Sequence, residues 1–121
     1  MEESLFKNQG SITNFDEVLG MLSTYISKKE DIDFITRAFN YANEKHAGQV
    51  RKSGEPYINH CLSVAYILAT YQSAPATIAA GFLHDTLEDC GVSYQEIKTL
   101  FNDDVAEIVQ AVTKIKNLPN V

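Results

Sequence analysis

Apolar residues recur along this chain with the period of an α-helix and nowhere alternate long enough to make a strand. Phe15, Val18, Leu19, Leu22 and Ile26 fall on one stripe, with Thr13 or Asn14 ahead of them as a capping residue, which predicts a helix to about Ser27. Ile35, Ala38, Phe39 and Ala42 form the inward face of a second helix, from about Asp31 to Ala47, and Gly48 stands where helices commonly end. The polar run QVRKSGEP closes on Pro56 and reads as a loop. A third helix is expected from about Tyr57 to Thr70, and Ser73 and Pro75 open a fourth. SYQE, Ser93 to Glu96, has the form of a capping box for a short fifth helix ending near Phe101. A sixth is expected from about Asp103 to Lys116. The pattern predicts an all-α fold of six helices without internal repeats.

Composition narrows the class. A length of 121 residues fits one domain spanning 1–121, and a hydrophobic content of 45% suffices for a core without staples. The opening MEESLFKNQG is too polar for a secretory signal, and residues 1–12 are expected to be flexible. Tyr57 to Leu83 carries no Asp, Glu, Lys or Arg, yet TYQSAP interrupts it and Asn59, His60, Ser63 and Thr70 are scattered through it. The reading is therefore a cytoplasmic protein with no membrane span. Cys61 and Cys90 make neither a disulfide framework nor a C-x-x-C zinc motif. A net charge of −6 argues against nucleic acid as a partner. It leaves open a small anion, because a metal and a few local cations reverse the field inside one cleft.

The apolar stretch ends in a burst of chemistry, GFLHDTLEDC from Gly81 to Cys90. On a helix, His84, Asp85, Glu88 and Asp89 fall at about 0, 100, 40 and 140°, so they share a face. Ala76, Ala79, Ala80, Leu83 and Leu87 lie opposite as the expected core stripe. Gly81 falls beneath the polar cluster, where the missing side chain would leave room for an ion or ligand. Imidazole and carboxylate side by side suit a divalent transition metal, and Glu88 and Asp89 one turn on could hold or activate water. Antiparallel packing of the third and fourth helices would bring His60 to the same place.

In their order and spacing, HAGQVRKSGEPYINH, GFLHDTLEDCGVSYQEI and FNDDVAEIVQAVTKI resemble the hydrolase domain of the RelA/SpoT family, part of the HD phosphohydrolase superfamily. The likeness runs from about Ala38 to Ile115. It implies an HD-domain helical bundle and manganese-dependent removal of the 3′-pyrophosphate from (p)ppGpp, giving GDP or GTP and pyrophosphate. It also implies His60, His84 and Asp85 as metal ligands and Glu88 and Asp89 as the acidic pair that positions the attacking water. Arg51, Lys52 and Ser53 match the loop that embraces the guanine nucleotide. Arg51 can lay its planar guanidinium on a purine or phosphate, Lys52 offers a point charge, and Gly54 permits a close backbone approach. His46 also matches the pattern, as a structural residue or a substrate contact.

The chain departs from the family at Cys61 and Cys90, where proline and threonine are common; both read as small buried fillers. Nothing in it matches the family's fourth metal ligand, an aspartate in a segment resembling KLADRLHNM, so a truncated domain is expected. That leaves two alternatives: a nucleotide-binding or regulatory module with impaired chemistry, and an HD phosphohydrolase for another nucleotide. A bundle short of its closing helices would expose apolar surface, which predicts a homo-oligomer.

Overall fold

The computed structural model describes residues 12–116; the expectation for residues 1–12 lies almost wholly outside them. Among the described residues six helices follow one another: α1 (Phe15–Leu22), α2 (Lys29–Lys45), α3 (Tyr57–Thr70), α4 (Pro75–Asp89), α5 (Tyr94–Leu100) and α6 (Asp103–Lys116). Among the described residues there is no strand, only an isolated bridge between Val50 and Pro56. No helix among them is long and apolar enough to cross a membrane.

The helix ends follow local chemistry where a cap was legible. Asn14 Oδ1 accepts from the Glu17 amide at 3.1 Å and starts α1. Asn102 Oδ1 does the same for α6, accepting from the Val105 amide at 2.9 Å. Ser93 Oγ accepts from the Glu96 amide at 3.1 Å, half of the expected capping box. The Glu96 carboxylate instead takes the Tyr41 hydroxyl of α2, tying α5 to the bundle. α1 stops at Leu22, short of the expected Ser27. There Thr24 Oγ1 donates to the Met21 carbonyl at 2.7 Å, and the Tyr25 hydroxyl donates to the Ser73 carbonyl at 2.7 Å. Such side-chain bonds draw the backbone out of the helical ladder. α4 opens at Pro75 with Ala74 at the cap position, leaving Ser73 outside the helix.

α4 is the axis of the bundle, packed against α2, α3 and α6. Every residue from Ile78 to Leu83 is buried. The one-sided core stripe expected for α4 is thus corrected. Phe82, Ile78 and Thr86 are buried as well, while Ala76 and Leu87 are only partly so, because helices surround α4. Phe82 meets the ring of Phe15 at 5.8 Å and that of Phe39 at 5.5 Å, both edge-on, and Phe15 stacks on Phe39 at 4.5 Å. Burying a side chain of this size contributes roughly 1.5–3 kcal/mol.

Gly81 faces α3. A Cβ placed there would stand 2.8 Å from Leu68 Cδ1 and 3.7 Å from Val64 Cγ1 of α3. The missing side chain lets α3 and α4 approach closely, and Gly81 and His84 both line an apolar cavity between α3, α4 and α6.

Candidate active site

The last two turns of α4 carry the chemistry. His84 Nδ1 lies 2.9 Å from the Gly81 carbonyl. A carbonyl only accepts, so Nδ1 bears the proton. His84 Nε2 then faces Asp85 Oδ2 at 3.1 Å. Asp85 is 1% exposed, and its Oδ2 also accepts from the Tyr57 hydroxyl of α3 at 2.5 Å. Two acceptors opposed at such a distance repel unless a proton or a cation lies between them. Ligands set at right angles on an ion with bonds of about 2.1 Å stand about 3 Å apart, so the pair has the spacing that one divalent ion requires.

Tyr57 joins the two helices. Its ring centroid is 5.5 Å from that of His60, one turn along α3, and 4.7 Å from that of His46, which follows α2. Burial first, then the hydrogen bond to Asp85, pushes the Tyr57 hydroxyl well above the usual tyrosine range, so it stays a donor.

The structure therefore brings His84 and Asp85 together and puts Tyr57 between Asp85 and His60. Among the described residues no three His, Cys, Asp or Glu side chains cluster closely enough to hold an ion. Half-buried, His60 sits a ring's width from Tyr57. Glu88 and Asp89 are exposed at the end of α4. Asp89 is near enough for its charge to raise the Tyr57 hydroxyl further.

Arg51, Lys52 and Ser53 are exposed on the loop between α2 and α3. With Val50, Tyr57 and His60 they line a cleft of about 710 Å³. That lies within the usual range for small-molecule sites. The Arg51 amide donates to the Glu55 carbonyl at 2.9 Å, and the Gly54 amide donates to the Arg51 carbonyl at 2.8 Å. Gly54 makes this tight turn at φ +93. A Cβ there would meet nothing within 4 Å, so within the protein it is the backbone torsion that calls for glycine.

His46 is 2% exposed and does not line the cleft. Its Nδ1 donates to Gln49 Oε1 at 3.0 Å, while Nε2 makes no hydrogen bond within the described structure. Cys90 Sγ lies 3.5 Å from His46 Nδ1 and 3.5 Å from the Lys45 carbonyl. Burial first, then the Asp85 charge, pushes the Cys61 thiol up to about 12. It is a neutral, fully buried filler, as its position after His60 suggests. Sequence reasoning missed Tyr57 as the partner of Asp85. A signal existed: Tyr57 precedes His60 by one helical turn, which places both on one face.

A second, apolar cavity of about 240 Å³ opens between α3, α4 and α6, walled by Val64, Leu68, Ala80, Ile108 and Val112 among others. His84 stands at its edge, so one ring separates a greasy cavity from the carboxylate.

Comparison with known proteins identifies the family. The HD domain pattern matches residues 38–121, and the chain belongs to the HD domain family. Within that family its likeness is to RelA/SpoT proteins. It is 42% identical over 101 residues to a guanosine-3′,5′-bis(diphosphate) 3′-pyrophosphohydrolase of Spiroplasma citri, covering 84% of this chain and 14% of that protein. To the protein of the same name from Aquifex aeolicus it is 45% identical over 106 residues, 88% of this chain and 15% of the relative. To the bifunctional (p)ppGpp synthase/hydrolase SpoT of Escherichia coli it is 38% identical over 104 residues, 86% and 15% respectively. The chain thus spans about a seventh of the length of these relatives.

Proposed function

We propose that this chain forms a (p)ppGpp 3′-pyrophosphohydrolase site that works with manganese. The observation carrying the reading is the opposed pair His84 Nε2 and Asp85 Oδ2 at 3.1 Å, with Nδ1 committed to the Gly81 carbonyl. A metal-ligating histidine usually has its other ring nitrogen held in this way. His84 and Asp85 would hold the ion, with His60 completing the set from α3. When bound, the ion would lower the pKa of water and offset phosphate charge.

The remaining work falls to the chain's own residues. Arg51 and Lys52 face the cleft with two cations on a chain of net charge −6, a local reversal that suits an anionic nucleotide. Arg51 offers a planar fork for phosphate or a stacking face for guanine, Lys52 a mobile point charge, and Ser53 a hydroxyl. Glu88 and Asp89 lie exposed beside the pair and would orient the attacking water and take its proton. Water then adds to the 3′-linked phosphorus, the bond to the nucleotide's 3′ oxygen breaks, that oxygen gains a proton, and pyrophosphate leaves.

The test is pyrophosphate release from ppGpp with Mn²⁺, using His84→Ala as control. Release that the substitution abolishes supports the reading. Nucleotide bound without release would make the chain a binding module. Turnover of dNTPs or cyclic nucleotides instead would assign it another substrate.

A further inference from the structure

We propose that Tyr57 is a positioning residue, whose hydroxyl holds the Asp85 carboxylate in the orientation that ion binding needs. The proposal rests on the metal reading above and extends it to a residue that contributes no ligand atom.

Tyr57 is the first residue of α3, and its hydroxyl crosses to α4 to meet Asp85 Oδ2 at 2.5 Å. A short charge-assisted bond of this kind limits rotation of the carboxylate. The Tyr57 ring is itself located. His46 packs against it at 4.7 Å with planes tilted by 37°, and His60 lies at 5.5 Å with planes tilted by 58°. His46 is in turn pinned through Nδ1 by Gln49 Oε1 at 3.0 Å, with Cys90 Sγ at 3.5 Å. A chain of contacts thus runs from the end of α2 through Tyr57 to Asp85. The same Tyr57 ring walls the cleft with Arg51 and Lys52, so one residue spans the nucleotide-sized cleft and the carboxylate. Partners that hydrogen-bond a metal-ligating group typically alter metal affinity by 10–100-fold when removed, a loss that a merely space-filling tyrosine would not show.

The experiment is titration of the full chain with Mn²⁺ alone by calorimetry, comparing wild type, Tyr57→Phe and His84→Ala, with circular dichroism to verify folding. Tyr57→Phe keeps the ring and removes the hydroxyl. We expect it to remain folded and bind Mn²⁺ about 10–100-fold more weakly, while His84→Ala loses binding. If Tyr57→Phe binds like wild type while His84→Ala does not, the positioning role is overturned and the metal reading stands. If His84→Ala binds like wild type, the metal reading falls and takes this one with it. Should the Phe variant not fold, Tyr57→Met, also lacking a hydroxyl, is read against the same two outcomes.

Discussion

Phe82 and Asp85 lie one turn apart on α4 and are equally hidden, at 0% and 1% exposure, yet opposite physics hides them. Phe82 is held by the rings of Phe15 and Phe39 and would be buried in any fold that placed it there. Asp85 is buried against its own tendency, because a carboxylate leaves water only at a large free-energy cost that hydrogen bonds and charge must offset. The Tyr57 hydroxyl meets part of that need, whereas the opposed His84 Nε2 adds to it. One turn of α4 maintains the fold; the next, on the function proposed above, would hold a cation.

The contrast can be broken in order of size. Phe82→Ala should lower the unfolding free energy by about 3–5 kcal/mol, read from urea denaturation, since it empties the aromatic cluster. Cys61 should show itself through pH. Its folded thiol sits at about 12 against an ordinary 9.0, so the folded chain holds the proton more tightly than the unfolded one. Stability is then fully present below the unfolded value and falls as pH rises through that window, by at most about 1.4 kcal/mol per pH unit. Cys61→Ala should flatten that slope in melting curves taken at rising alkaline pH. Asp85→Asn should change stability by only about 1 kcal/mol, because the amide oxygen still accepts from Tyr57, while removing Mn²⁺ affinity. A large stability loss with binding intact would reverse the roles assigned to the two turns. Gly81→Ala should move stability by less than about 1 kcal/mol. The gain in helix propensity opposes displacement of Leu68 Cδ1, 2.8 Å from the new Cβ, and thermal melts measure the balance.

Much of this was readable along the chain. The limits of α3 and α6, the caps at Asn14 and Ser93, and the adjacency of His84 and Asp85 all come from interactions within a few residues. What escaped came from partners far apart. α1 ends early beside the Tyr25–Ser73 bond, which joins residues 48 apart. The side-chain direction at Gly81 points at Leu68 of another helix. Tyr57 was placed at the start of α3, but its bond to Asp85 spans 28 residues and follows only from how α3 lies on α4. The positive φ of Gly54 likewise belongs to the closed loop and is not written in the motif.

Anomalous diffraction at the manganese edge, from crystals of the full chain grown with Mn²⁺, tests the central claim most directly. A single peak within about 2.5 Å of His84 Nε2 and an Asp85 carboxylate oxygen, with His60 turned toward it, is the expected result. A well-diffracting crystal with no peak there, or with manganese only at surface carboxylates, would contradict it.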